Sequence, residues 1–215
     1  MSGESCLSAM ANSEKSEQRN RFRSKLTAYR DKERQMKSVD RLVKEHDLIE
    51  RGLNLLEKSV SLIDSNQPIS DEFPKWAPGF FSQFADKCHH AKEEDLFFPL
   101  LKERGIPEEG GPIGVMLHEH VVGRDCVKRM REASEKDDEF NAAMFASAAK
   151  EFIPLLRQHI YKENNILFKM AENVLNEVDD GAMNDKFTEV EQERELAGLH
   201  ERFEAEVARW EEFLK

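Results

Sequence analysis

From Ser38 onward the apolar positions fall into a helical rhythm. Val39, Leu42, His46, Ile49, Leu53, Leu56, Val60 and Ile63 follow one another at steps of 3, 4, 3, 4, 3, 4 and 3, the alternation that keeps one stripe of a bundle helix turned toward its neighbours. Asn66, Pro68 and Ser70-Asp71 supply a stop and a new start, so a first helix is expected over residues 38–65. A second stripe holds Trp76, Phe80, Phe81, Phe84, Cys88, Leu96, Phe97 and Leu100, and Gly105, Pro107, Gly110, Gly111 and Pro112 end it in a loop. Pro99 lacks an amide hydrogen, which predicts a kink or an end after Phe98. A third helix starts after Pro112 with Ile113, Met116, His120, Val127 and Met130 on one face, and Gly123 among them leaves room for a close approach. Residues 133–141 are charged and read as a connection; residues 142–178 read as one long helix or a bent pair divided near Pro154. Beyond Asp179-Asp180-Gly181, Leu196, Leu199, Phe203, Val207, Trp210 and Leu214 recur at helical spacing. No segment alternates with period 2, so the expected fold is all-α: an antiparallel four-helix bundle with an additional C-terminal helix.

Charge divides the chain. Residues 1–37 carry nine Lys/Arg against five Asp/Glu, and residues 38–215 carry 23 against 38, a net of −15. Three parts are therefore expected: a basic, disordered or loosely helical extension over 1–37, the bundle over 38–180, and an amphipathic helix over 181–215 that packs on it. The acidic body disfavours nucleic acid as a partner. Cys6, Cys88 and Cys126 lie too far apart for a disulfide framework or a Cys-x-x-Cys pair, and no apolar run is long enough to span a membrane. A cytoplasmic protein is the expectation, with organelle targeting by the extension as the alternative; Glu4, Glu14 and Glu17 count against a transit peptide. Oligomeric state is not readable from the pattern.

The chemistry lies in polar residues placed where the helical seams should be apolar. His46 occupies an inward step of the first helix. His89 and Glu93, four apart, share a face of the second with Leu96 and Leu100; His120 lies between Met116 and Gly123 on the third; His159 and Glu163 repeat the pair on the fourth, flanked by Phe152, Leu156, Ile166 and Met170. Four imidazoles and two carboxylates buried in an apolar seam cost several kcal/mol each (~2–7) unless something satisfies them together. A pair of divalent metals does so, each ion capped by His and bridged by Glu; with no thiolate in the set, a non-haem di-iron centre is favoured over structural zinc, and manganese is the nearest competitor.

Glu45-His46-Asp47, His89-His90-Ala91-Lys92-Glu93-Glu94 running to Pro99, Glu119-His120 with Gly123-Arg124, and His159-Ile160-Tyr161-Lys162-Glu163-Asn164 running to Phe168 resemble the hemerythrin-like, HHE cation-binding family. The likeness covers residues 38–176. It implies a four-helix bundle holding two irons joined by an oxo or hydroxo group and by carboxylates, with His46, His89, Glu93, His120, His159 and Glu163 as ligands. Oxygen-carrying members have a second His four residues on in the third helix, where this chain has Arg124, and an Asp five residues after the His of the fourth, where this chain has Glu163 at four. One imidazole is thus missing from that pattern. The set is similar to the branch that holds nitric-oxide and iron–sulfur repair proteins, peroxide-consuming proteins and iron sensors. Fewer protein donors leave more positions open to water, peroxide or nitric oxide, so dioxygen, peroxide or nitric oxide is the expected small ligand, and redox turnover is favoured over reversible carriage.

An oxygen- or iron-sensing or iron-handling role, and a helical interaction module with a structural metal, remain as rival classes. Among the neighbours, Glu50 stands four after His46 and is a candidate extra carboxylate or outer partner. Glu94 and Glu119 are expected to hold imidazole N–H groups or to face solvent. His90, turned 100° from His89, and His118 are expected to be exposed and outside the site. Cys88 reads as a small hydrophobe before a redox sensor.

Overall fold

Helix α1 (Lys37–Asp64) buries the stripe its spacing predicts, with Val39, Leu42, Ile49, Leu53, Leu56 and Val60 all inside. The computed structural model describes residues 36–135, 140–194, 196 and 198–215; the expected basic extension, apart from Met36 and Lys37, lies outside these. Among the described residues there is no strand, and no helix is long and apolar enough to cross a membrane.

Residues 73–103 form one unbroken helical run, α2, whose winding changes along its length. Phe73–Phe80 is α-helical, Phe81–His90 and Glu93–Phe97 are π-helical, and Phe98–Glu103 returns to α. Two bonds show the wider turn directly: the Ala91 amide donates to the Asp86 carbonyl and the Phe98 amide to the Glu93 carbonyl, each five residues back. This corrects the expectation of an end at Pro99. The π turn resets the register just before it, so Pro99 enters a fresh α-helical first turn, where a missing amide hydrogen costs little, and the helix continues to Glu103.

Helix α3 is Pro112–Glu135. Helix α4 spans residues 142–174 as Ala142–Lys162, a π turn over Glu163–Leu167, and Phe168–Val174. It passes through Pro154 without dividing; the departure from α bonding comes at Glu163, whose carbonyl accepts from the Phe168 amide. The tail is two helices rather than one, α5 (Glu177–Glu193) and α6 (Leu199–Phe213), and the break falls at Leu175–Asn176 instead of at Gly181. Asn176 caps α5 through the Val178 and Asp179 amides, and Asp179 returns a bond to the Asn176 amide, a reciprocal box that outweighs the helix penalty of one glycine.

Ion pairs show the antiparallel order. Arg124 of α3 reaches Asp86 and Glu94 of α2; Arg129 of α3 reaches Glu151 of α4, one bundle level away from the Glu119–His159 contact; Arg157 and Lys150 of α4 reach Glu57 and Asp64 of α1. At the end of the bundle away from the histidines, Phe73, Phe80, Phe81 and Phe84 meet Phe152, Phe203 and Trp210. Each such ring contributes ~1.5–3 kcal/mol by leaving water. The close approach there is made by Gly52, not Gly123. A Cβ on Gly52 would lie 2.2 Å from the Phe80 ring, whereas one on Gly123 would sit at an ordinary 3.5 Å from Phe152. The apolar stripe of α6 covers this aromatic end, with Phe203, Val207 and Trp210 buried. Helix α5 is tied to α1 by Asp180, whose carboxylate accepts from the Lys37 and Ser38 amides at 2.9 Å and from the Ser38 hydroxyl at 2.6 Å.

Candidate metal centre

The four helices place His46, His89, Glu93, His120, His159 and Glu163 together in one interior cluster, each at most 1% exposed. The carboxylates lie between two imidazole pairs. One Glu93 oxygen faces His89 Nε2 at 3.5 Å and the other faces His120 Nε2 at 3.6 Å; Glu163 Oε2 faces His46 Nε2 at 3.1 Å and His159 Nε2 at 3.2 Å. Donor atoms of His46, His89, Glu93 and Glu163 all lie within 4.8 Å of one another, and so do those of His90, Glu93, His120 and His159.

Behind the cluster, every one of the four imidazoles is fixed through Nδ1. His46 Nδ1 meets the Asn164 amide oxygen at 2.9 Å, His89 meets Glu45 at 2.8 Å, His120 meets Glu94 at 2.6 Å and His159 meets Glu119 at 3.1 Å. An oxygen acceptor requires Nδ1 to carry the proton, so each neutral ring turns an Nε2 lone pair inward. The inward atoms find little to bind: His46 Nε2, His89 Nε2 and all four oxygens of Glu93 and Glu163 are buried without a hydrogen-bond partner. His120 Nε2 and His159 Nε2 stand 3.1 Å apart, two lone pairs that need a cation or a proton between them.

Electrostatics tell the same story. Burial and the facing Glu163 push the Glu93 carboxyl well above the ordinary range; burial would raise Glu163 as well, but His159 and His46 hold it well below. Burial alone would depress His159, yet Glu163 and Glu119 outweigh it and hold the ring up to about 9. His89 is pushed down to about 4 by burial and by the charge of His46. Unpartnered nitrogens and carboxylate oxygens in one buried cluster, with no thiolate among them, fit first-row divalent metals.

The outer shell repeats about a pseudo-twofold relation. Lys92 and Lys162, three residues after His89 and His159, pair with Glu45 and Glu119, which in turn hold those same imidazoles. Phe98 stacks near His120 and Phe168 near His46, at 6.0 and 5.6 Å between centroids. Two departures break the symmetry. Glu94 behind His120 corresponds to the uncharged Asn164 behind His46. Lys92 is completely buried because α5 closes over it, giving it Glu191 at 2.7 Å and the Phe187 ring, while Lys162 stays partly exposed. Burial alone would lower the Glu45 carboxyl's affinity for charge, but His89 and Lys92 hold its pKa down to about 2.

Glu50 does not reach the cluster; it lies beside Arg157 at 3.6 Å, on the outer side of α1. His118 is exposed. His90, expected on the surface, is buried and stacks on His120 with centroids 3.7 Å apart. The 100° step assumed for it holds for an α-helix, and the Phe81–His90 stretch is wound more widely. Glu94 and Glu119 both hold imidazoles. The Glu45 and Lys92 roles were carried by a repeated signal, Glu-His on α1 and α3 answered by His-x-x-Lys-Glu on α2 and α4. Cys88 is buried, and burial pushes its thiol up to about 11, so it is no ready thiolate. A cavity of about 290 Å³ runs from His90, His120 and His159 past Phe81, Val127 and Phe152 toward exposed Lys128.

Comparison with known proteins agrees with this geometry. The family described as "Hemerythrin HHE cation binding domain" matches residues 37–171. The iron-sulfur cluster repair protein DnrN of Neisseria gonorrhoeae is 31% identical over 112 residues, which are 47% of this chain and 69% of that protein. The iron-sulfur cluster repair protein YtfE of Dickeya chrysanthemi is 36% identical over 88 residues, 39% of this chain and 40% of the relative; the chain therefore spans well under half the length of the YtfE proteins it matches. No solved structure matches the chain. With a bundle, a buried His/Glu cluster and a family match over most of its length, this chain belongs to the hemerythrin HHE cation-binding family.

Proposed function

We propose that the protein holds two irons between α1–α4 and that dioxygen, peroxide or nitric oxide is the small molecule it binds or turns over there. His46 and His89 would hold one metal, His120 and His159 the other, and Glu93 and Glu163 would reach both. An iron pair held by these residues would supply electron-transfer chemistry toward such ligands; manganese is the competing metal. The observation that carries the reading is the set of inward, unpartnered Nε2 and carboxylate oxygen atoms.

The surrounding residues prepare this site. Glu45, Glu94, Glu119 and Asn164 orient the imidazoles and fix their tautomer, and the three carboxylates make the rings more basic ligands. Phe98 and Phe168 keep water from the His120 and His46 rings. The wall made by Phe81, Val127 and Phe152 suits a small neutral molecule better than a hydrated ion. Amide support behind His46 and carboxylate support behind His120 make the two halves chemically unequal. The test is an optical spectrum of iron-loaded protein followed during addition of air, peroxide and nitric oxide. A spectral change with at least one of them is expected; iron-loaded protein indifferent to all three contradicts the reading. Repeated consumption of peroxide or nitric oxide marks an enzyme, a single stoichiometric change a sensor or carrier.

A second reading is favoured by the relatives, which are named for iron–sulfur cluster repair. In it the same cluster supplies iron as cargo to a damaged cluster. Iron-loaded protein restoring cluster absorbance faster than an equal amount of free iron supports it; equal restoration refutes it.

A further inference from the structure

We infer that the cavity walled by α2, α3 and α4 is a substrate site whose occupant is an organic hydroperoxide with an apolar body. The inference rests on the di-iron reading above and narrows its small ligand to this class.

Room is the first argument. The cavity holds about 290 Å³, whereas dioxygen, nitric oxide or hydrogen peroxide takes up roughly the space of one or two waters, ~30–60 Å³. A passage for such molecules needs no chamber several times their size. Cavities that take organic molecules begin near ~300 Å³ and are walled mainly by apolar and aromatic side chains. The wall here is Phe81, Val127, Phe152, Leu155 and Leu156, which offers water few partners and favours an alkyl or aryl group that leaves water.

Placement is the second. His120 and His159 line one end of the cavity and exposed Lys128 the other, so a molecule entering past Lys128 meets hydrocarbon along its length and the metal-holding side chains at its tip. An uncommitted polar group is the third. His90 lines the inner end, stacked on His120 with centroids 3.7 Å apart, and both its nitrogens are buried without a hydrogen-bond partner. Lying on that face, it cannot share a metal with His120 and is left for the bound molecule. A neutral imidazole carries one N–H and one lone pair; a hydroperoxide, which both donates and accepts, matches that pair, and dioxygen and nitric oxide do not. The step is a two-electron reduction. The O–O bond of the hydroperoxide breaks, each oxygen takes one proton to give the alcohol and water, and one electron comes from each of two ferrous ions, which become ferric.

Full-length protein loaded anaerobically with ferrous iron is mixed with hydrogen peroxide or cumene hydroperoxide, and the concentration that gives half the maximal rate of ferric absorbance is read for wild type and Val127→Phe. Cumene hydroperoxide should act at a concentration ~100-fold or more below that of hydrogen peroxide. The variant, whose ring fills the chamber, should lose at least ~10-fold toward cumene hydroperoxide and change less than ~2-fold toward hydrogen peroxide. Binding is read separately in metal-free protein: 2-phenyl-2-propanol, the alcohol product, should raise the melting temperature of wild type and not that of Val127→Phe. Wild type that responds to the two peroxides alike, a variant that loses both equally, or an alcohol that shifts neither protein overturns the inference and leaves the di-iron reading standing. Ferrous protein indifferent to both peroxides, to dioxygen and to nitric oxide overturns both. Should Val127→Phe fail to fold, wild type decides through hydrogen peroxide, tert-butyl hydroperoxide and cumene hydroperoxide in turn: the half-saturating concentration should fall as the apolar body grows, and no trend with size overturns the inference.

Discussion

Glu45→Gln isolates the contribution of one outer carboxylate. Glu45 holds His89 Nδ1 at 2.8 Å and is paired with Lys92, whose side chain is 0% exposed against 4% for Glu45. Removing one partner of a buried ion pair costs ~3–5 kcal/mol. Glu191 remains 2.7 Å from Lys92 and keeps part of the compensation, which brings the expectation to about 2–3 kcal/mol. For a body of this size that lowers the melting temperature by about 4–12 °C. The assay is thermal unfolding of metal-free protein, followed by circular dichroism across a pH series. Because folding lowers the Glu45 pKa from 4.5 to about 2, its stabilisation is complete above the unfolded-state value and is lost as pH falls from there toward 2. The gap between wild type and variant should be full at neutral pH and close through that acid window. A melting temperature unchanged at neutral pH, or a gap that persists in acid, refutes the reasoning. Glu119→Gln provides the contrast: Lys162 is 29% exposed and Glu119 16%, so its loss should cost no more than about 1 kcal/mol.

Gly52→Ala should destabilise by about 1–3 kcal/mol in denaturant unfolding, since its Cβ would strike the enclosed Phe80 ring, whereas Gly123→Ala should be neutral or stabilising by up to ~1 kcal/mol. Asp180→Ala should cost about 1–2 kcal/mol by uncapping α1, with faster amide exchange in its first turn as the local sign. Cys88 should resist alkylation in the folded protein at neutral pH and react once denatured, because burial raises its thiol to about 11.

Much of the bundle was written in the hydrophobic spacing. The stripe from Val39 to Ile63 fixed α1 to within a residue, and the two His/Glu pairs pointed to a shared interior because polar groups on an apolar stripe need a common partner. Two of the misjudged places, His90 and Pro99, share a cause: π turns leave no compositional mark. They arise where tertiary packing rewards a wider helix, here beside Glu93 and Glu163, and they moved His90 inward and freed Pro99 from ending α2. The tail was misdivided for a different reason. Gly181 drew attention as a breaker, while the Asn176-Glu177-Val178-Asp179 capping pattern, equally present in the sequence, set the true start of α5. Lys92 and Lys162 were legible only as the shared His-x-x-Lys-Glu spacing; the placement of Glu45 and Glu119 on facing helices shows what that spacing serves, since each lysine pairs with an outer carboxylate.

The most direct measurement is the iron content of full-length protein reconstituted anaerobically and freed of loosely held metal, with His159→Ala and His118→Ala handled identically. Interior donors that converge on cations predict two irons per chain in wild type and His118→Ala, and marked loss in His159→Ala. Wild type that retains none, or three proteins that retain the same amount, would contradict the metal centre itself.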